Sequence, residues 1–230
     1  MPPELLLLSA CSVLLVGVHL LGVLPWLPEP KLTAGEIKIP YADLASRIDV
    51  VALMVVGIGC QFVTAAVPAE IRPMWLVFGS SVLVLVWIDL RTTWLPKLMT
   101  WLCWGEQALA LGVGLTITDD PVALATATVL GGLGAGVFFW LVWRITHGGI
   151  GYGDVRLAVL VGMVAGSLGS SMWWLSMLAG SMLGVFAGIT IDLLRRRRAK
   201  HASGTPGSEF AYGPALWAGP YLGFAISVFI

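Results

Sequence analysis

Two aspartates of this 230-residue chain stand at the edges of apolar runs, where a charge is expensive. Asp89 ends the run 76–88, and Asp154 follows the glycine-rich stretch 148–153. Two carboxyls within a few Å of each other cannot both ionise, so one keeps a proton while the other is charged. The charged one can deprotonate a water, and the neutral one can donate to a carbonyl oxygen. This is aspartic-protease chemistry, for which we expect neither a metal nor a cofactor.

Simpler interpretations of these two acids stay open at this point. Asp89 could pair with Arg91, and Asp154 could be the N-cap of a helix. The flanking Gly151 and Gly153 fit the catalytic interpretation, because residues without a Cβ let an extended substrate lie close to an acid. A Gly-x-Gly-Asp stretch is weak evidence in a chain with 28 glycines.

The remaining candidate acids favour structural roles. Asp119 and Asp120 precede Pro121, a combination typical of a solvated helix start. Asp192 lies three residues before a run of arginines and is expected to pair with it or to face water.

The composition requires a membrane protein. Apolar residues make up 58% of the chain and charged residues 11%, whereas soluble domains carry about 25% charged residues. The formal net charge is zero, which gives no basic surface for nucleic acid. The three cysteines, Cys11, Cys60 and Cys103, lie far apart in apolar runs, so neither a disulfide framework nor a zinc site is expected.

Apolar segments long enough to cross a bilayer, about 20 residues each, predict an all-α bundle of about eight transmembrane helices. Seven helices is the alternative, because only the short stretch 166–171 separates the sixth segment from the seventh. The segments lie near residues 5–27, 50–68, 73–88, 95–115, 122–143, 155–169, 172–194 and 214–230.

The positions of Lys and Arg predict the orientation, since these residues collect on the cytoplasmic side. Arg91, Arg144 and Arg156 fall on one side together with the arginine run, so this side should be cytoplasmic and both termini outside. Two segments separate Asp89 from Asp154, which places both acids at one membrane face. The run itself, Arg195, Arg196, Arg197 and Arg198, is expected to contact anionic lipid.

Glycines spaced four residues apart predict close helix packing, because they leave a smooth stripe on a helix. This spacing joins Gly132 to Gly136 and Gly162 to Gly166, and it occurs twice in the series Gly180, Gly184 and Gly188.

Three stretches together resemble the type IV prepilin peptidase family of membrane aspartic proteases. Asp89-Leu90 followed by Leu95-Pro96 resembles the family's first aspartate motif. The stretch 151–157, Gly-Tyr-Gly-Asp-Val-Arg-Leu, is similar to its Gly-x-Gly-Asp-x-Lys-Leu motif, and the stretch 210–216 is similar to its Phe-Gly-Pro. The resemblance extends over residues 72–230 and keeps the order of the motifs.

The resemblance implies one integral-membrane domain over residues 1–230, in a prokaryotic cytoplasmic membrane. The family's catalytic aspartates fall on Asp89 and Asp154, and Gly151 and Gly153 shape the second of them. The corner at Gly213 and Pro214 would pack the site and guide the substrate, with a plain helix start as the alternative.

The implied activity is removal of the N-terminal leader of prepilin-like proteins, the Flp or Tad type among the candidates, at the cytoplasmic face. Lys97 stands where relatives usually have Asp or Asn. The loop 28–49 has no cysteine, whereas larger relatives carry a four-cysteine insertion there. The chain therefore resembles a compact form, and methylation of the new N-terminus is not part of the expectation.

Two other classes of protein were weighed. A proton-coupled transporter would use intramembrane acids as a relay, and a pilus-assembly scaffold would need no catalysis. The position of both acids at one face, away from the bilayer midplane, argues against the transporter.

Overall fold

The computed structural model describes residues 2–29, 39–147, 149–199 and 211–229, and these contain helices and no strand. This confirms the predicted all-α class. The α-helices of this described part are α1 (Pro3–Gly17), α2 (Arg47–Ala66), α3 (Arg72–Phe78), α4 (Ser81–Thr92), α5 (Lys97–Leu115), α6 (Pro121–Ile145), α7 (Tyr152–Ser167), α8 (Ser170–Ala199) and α9 (Gly213–Phe229).

Two of the predicted membrane segments are built from more than one helical piece. Helix α1 continues through a π-helical stretch, Val18–Val23, and a 3-10 turn, Leu24–Trp26. Helices α3 and α4 follow each other across Gly79 and Ser80 and form one apolar stretch. Each predicted segment therefore corresponds to one helical rod in the described residues.

Five helical stretches of the described chain are long and apolar enough to cross a membrane, which makes the protein a multi-pass membrane protein. The number of crossings beyond these five, and the outside location of the termini, stay predictions. The five stretches are Pro3–Trp26, Arg47–Ala66, Ala69–Thr92, Pro121–Ile145 and Ser170–Leu194.

A sharp break separates α7 from α8. Gly169 adopts a left-handed conformation with φ of +100°, which glycine tolerates because it has no Cβ. Its N–H donates to the carbonyl of Gly166 at 2.9 Å, a pattern that ends a helix. The structure therefore has two helices here, and the choice between eight and seven membrane crossings stays a prediction.

The stretch Ala69–Thr92 is the centre of the bundle, because most of it is buried while the other four stretches are largely exposed. Trp75 and Phe78 of α3 are fully buried and pack against the aromatic rings of α9. The indole N–H of Trp217 also donates to the carbonyl of Phe78 at 3.0 Å. The core thus holds α9 against the helix that leads into Asp89.

Glycines bring neighbouring helices into backbone contact, as their spacing predicted. A Cβ added to Gly166 of α7 would lie 2.9 Å from the Cα of Gly131 on α6. A Cβ added to Gly180 of α8 would lie 3.3 Å from the Cα of Gly219 on α9. A side chain at Gly166 would force the neighbouring backbone apart, and a side chain at Gly180 would require its neighbours to shift by a few tenths of an ångström.

Several predicted features fall outside the described residues. These are part of the loop 28–49 (residues 30–38), the stretch 200–210 with Phe210 of the third motif, and the side chains of Arg195 to Arg198. The expected contact of these arginines with anionic lipid stays a prediction.

Candidate active site

Asp89 lies in the last turn of α4 and is buried, with 4% of its surface exposed. The helix ends because Thr93 adopts a left-handed conformation, with φ of 58°, that β-branched residues rarely take. The N–H of Thr93 donates to the carbonyl of Asp89 at 2.6 Å. This bend turns the chain into the extended segment that contains Leu95.

Asp154 is the third residue of α7 and is also buried, with 6% exposed. The N-cap of this helix is Gly151, and no side chain caps it. The backbone N–H of Asp154 donates to the carbonyl of Gly151 at 3.0 Å. The interpretation of Asp154 as the N-cap is therefore wrong, and its carboxyl instead reaches back to the backbone of the N-cap residue Gly151.

Both aspartates line one cavity of about 210 Å³, as their shared membrane face predicted. The volume suffices for several water molecules, at about 30 Å³ each. Its lining comes from the end of α4, the segment after it and the start of α7. The lining residues are Asp89, Thr93, Trp94, Leu95, Gly151, Tyr152, Gly153, Asp154 and Arg156.

The alternative ion pair between Asp89 and Arg91 does not occur. The Arg91 guanidinium lies over the ring of Trp87, 5.1 Å from its centroid, and the described ion pairs do not include Asp89. Asp89 is thus buried without a basic partner on its own helix.

The start of α9 reaches Asp89 directly. The backbone N–H of Gly213 donates to Asp89 Oδ2 at 3.0 Å, across 124 residues of sequence. A Cβ on Gly213 would lie 2.5 Å from the same oxygen, so no other residue fits there without displacing the carboxyl. Helix α9 begins at Gly213, and neither Gly213 nor Pro214 is among the residues that line the cavity. Their role in guiding the substrate stays a prediction.

Leu95 of the first motif contacts the second motif at Gly153. A Cβ on Gly153 would lie 2.8 Å from Cδ1 and 2.9 Å from Cβ of Leu95. The Leu95 carbonyl also accepts from Arg156 Nη2 at 3.3 Å. The segment after α4 is therefore fixed against the first turn of α7, the turn that holds Asp154.

Arg156 brings the positive charge of the cavity lining. Its guanidinium lies over the Tyr152 ring, 5.9 Å from the centroid, while its Nε and Nη1 atoms are buried without a hydrogen-bond partner. Trp104 donates to its backbone carbonyl at 3.2 Å. The sequence indicates Arg156 only as an orientation signal and as part of a motif, and it predicts no role for Arg156 in the site.

Two further residues near the site were missed from the sequence. Tyr212 directly precedes Gly213, and its ring lies on Gly184 of α8. The signal was present, since Tyr212 adjoins the Gly-Pro pair and Gly184 belongs to a four-residue glycine series. The spacing of that series predicts helix packing and no contact with the site.

With this geometry described, comparison with known proteins identifies the family. The model of the type IV leader peptidase family matches residues 76–190, which is half of the 230 residues. The chain belongs to the type IV leader peptidase family. The matched range contains Asp89 and Asp154 together with the cavity lining, and it ends before Gly213.

Among curated proteins, the chain is similar to a prepilin leader peptidase/N-methyltransferase of Bacillus subtilis (strain 168). The two are 29% identical over 106 residues, which are 46% of this chain and 38% of the relative. The match thus spans well under half of the relative's length. No solved structure matches the chain significantly.

Proposed function

We propose that the chain is a membrane aspartic endopeptidase that removes the N-terminal leader of prepilin-like proteins. The observation that supports this most strongly is the presence of two buried carboxyls, Asp89 and Asp154, in one cavity with room for water. Membership of the leader peptidase family and the name of the Bacillus relative support the substrate class.

The proposed reaction uses the two carboxyls in opposite protonation states. The ionised carboxyl takes a proton from a water, whose oxygen attacks the carbonyl carbon of the scissile peptide bond. The protonated carboxyl donates to the carbonyl oxygen and yields a neutral tetrahedral intermediate. When the C–N bond breaks, the carboxyl that took the proton from water gives it to the leaving amine, and the other carboxyl takes back a hydroxyl proton of the intermediate. The products are a carboxyl on the leader and a free amine on the mature protein.

We place this reaction at the cytoplasmic membrane face, from the positive-inside orientation. A substrate helix could then lie in the bilayer beside the bundle while its leader stays in the cytoplasm next to both acids. Gly151 and Gly153 would allow an extended backbone to approach Asp154. Cleavage of Flp or Tad-type prepilins is part of this proposal, and methylation of the product is not.

The test is co-expression of the chain with a panel of prepilins, followed by mass spectrometry of each substrate's N-terminus. We expect the wild type to remove a leader and both Asp89→Asn and Asp154→Asn to leave it uncut. The matched control is Asp119→Asn, an exposed aspartate that does not line the cavity, which should cleave normally.

Correct insertion of each variant is checked by its amount in membrane fractions and by its elution as a single species in detergent. Failure of well-inserted wild type to cut any prepilin would contradict the proposal. Added methyl mass on the new N-terminus would show that methylation has to be added to the proposed activity.

A further inference from the structure

The ring of Tyr212 occupies a recess in α8 that exists because residue 184 is glycine. A Cβ added to Gly184 would lie 2.7 Å from Cδ2 and 2.9 Å from Cζ of Tyr212. These are closer than real Cβ contacts, so any side chain at this position would displace the ring. On α6, the ring centroid of Phe139 lies 6.2 Å from the ring centroid of Tyr212.

The backbone of Tyr212 connects this recess to Asp89. The Tyr212 carbonyl accepts hydrogen bonds from the N–H groups of Ala215 and Leu216, at 3.1 and 3.2 Å, and so begins α9. The next residue, Gly213, donates its N–H to Asp89 Oδ2. Residue 213 also packs against α7, since its Cβ would lie 3.2 Å from Cδ2 of Leu157. The position of the Tyr212 ring therefore fixes the direction of the N–H that holds Asp89.

We infer that Gly184 and Tyr212 are positioning residues for Asp89. The recess at Gly184 holds the Tyr212 ring, and the ring holds the Gly213 N–H on the carboxyl. This inference rests on the proposed function, because it assigns the two residues a role in leader cleavage.

The contact is made by the ring carbons of Tyr212, since the atoms nearest the Gly184 position are Cε2, Cδ2 and Cζ. The phenol oxygen makes a separate hydrogen bond to Ser181 of α8, and the inference requires the ring and not this bond. Tyr212→Phe keeps the ring, whereas Tyr212→Ala removes it without altering α8. Gly184→Ala closes the recess from the opposite side.

The N–H donor also affects how readily Asp89 is ionised. A hydrogen bond to a carboxyl depends on whether that carboxyl is charged, so displacement of the Gly213 donor changes how the pair titrates. Three titratable or charged groups line the cavity together with Asp89, namely Asp154, Tyr152 and Arg156, and Tyr212 interacts electrostatically with Asp154. All four remain unchanged in Gly184→Ala, so a shifted pH profile in that variant reports on the positioning of Asp89.

The experiment measures kcat, KM and the pH dependence of kcat/KM for purified full-length protein in detergent with a prepilin substrate. We expect Gly184→Ala and Tyr212→Ala to lose about 10²-fold in kcat, the cost of a misplaced catalytic group, with little change in KM. Their pH profiles should differ from that of the wild type. Tyr212→Phe should behave as the wild type.

The matched glycine control is Gly112→Ala on α5, where a Cβ would have no neighbour within 4 Å. If the wild type is active and both Gly184→Ala and Tyr212→Ala are equally active, the inference is overturned and the proposed function stays intact. A loss confined to KM, or an unchanged pH profile, would also overturn it. Inactive wild type would overturn the proposed function and this inference with it.

Discussion

At the scale of single residues, the contact between Leu95 and Gly153 joins the segment after α4 to the turn that holds Asp154. We predict that Gly153→Ala lowers the rate of leader cleavage, because its Cβ would press on Leu95 and displace the first turn of α7. Leu95→Ala in the same chain should restore part of the rate, since it removes the side chain that the new Cβ meets.

The measurement is the cleavage rate of the two single variants and the double variant, with the amount of inserted protein as the control. A double variant slower than Gly153→Ala alone would show that the contact between Leu95 and Gly153 is not what limits this position.

The two aspartates could be predicted from the sequence, because charged residues beside apolar runs are conspicuous and the number of intervening segments fixes their membrane face. The donor to Asp89 could not, since Gly213 lies 124 residues away and its role depends on how α9 packs against α4 and α7. The role of Gly184 was hidden for the same reason. Regular glycine spacing indicates that another element packs closely against the helix, but it does not identify the residue that makes the contact.

At the scale of helices, a polar pair links the first apolar rod to α5. His19, 2% exposed and within the π-helical stretch, contacts Glu106 with 3.0 Å between Nε2 and Oε1. Its Nδ1 lies 2.8 Å from the carbonyl of Leu15, and Glu106 Oε2 is buried without a partner. Removing one partner of such a pair leaves the other buried and unsatisfied.

We predict that Glu106→Leu lowers the free energy of unfolding by about 1–3 kcal/mol, the cost of an unsatisfied buried polar group. Glu106→Gln should be milder, because its amide oxygen can still accept a hydrogen bond from His19. Thermal midpoints in detergent measure both effects. A Glu106→Leu protein as stable as the wild type would show that the pair does not hold the first rod to α5.

The positions of the helices could be predicted from the apolar runs, whereas the breaks inside the helices could not. Hydropathy gives the length of a run, but the interruption between α3 and α4 at Gly79 and Ser80 depends on packing around buried neighbours. No role was predicted for Glu106 either, although a single acid within the apolar run 98–115 indicates a buried partner.

At the scale of the whole molecule, the orientation in the membrane decides which compartment the cavity serves. The predicted orientation puts the turn between α5 and α6 outside and the turn between α6 and α7 in the cytoplasm. We predict that Asp119→Cys is labelled by an impermeant maleimide in intact cells, and that Thr146→Cys is labelled only after permeabilisation. Both positions are exposed.

Both variants are made in a parent protein in which Cys11, Cys60 and Cys103 are replaced with serine. This parent protein must retain leader cleavage. The reverse labelling pattern would place the cavity outside and exclude a cytoplasmic leader as its substrate.

The class of the whole molecule could be predicted from composition, because a chain with 11% charged residues cannot cover a soluble surface. The number of crossings is less well determined, since α7 and α9 have 16 and 17 residues and α5 contains Glu106. Such short or polar helices are stabilised by their neighbours in the bundle, which a hydropathy window does not include.

The central claim is that Asp89 and Asp154 act as one catalytic pair. The most direct test is the single-turnover cleavage rate of purified Asp89→Asn, Asp154→Asn and the double variant on one prepilin. We predict that each single variant loses about 10²- to 10⁴-fold, the usual contribution of general acid–base catalysis, and that the double variant is no slower than the slower single one. Wild-type rates in either single variant, or losses that multiply in the double variant, would contradict the claim.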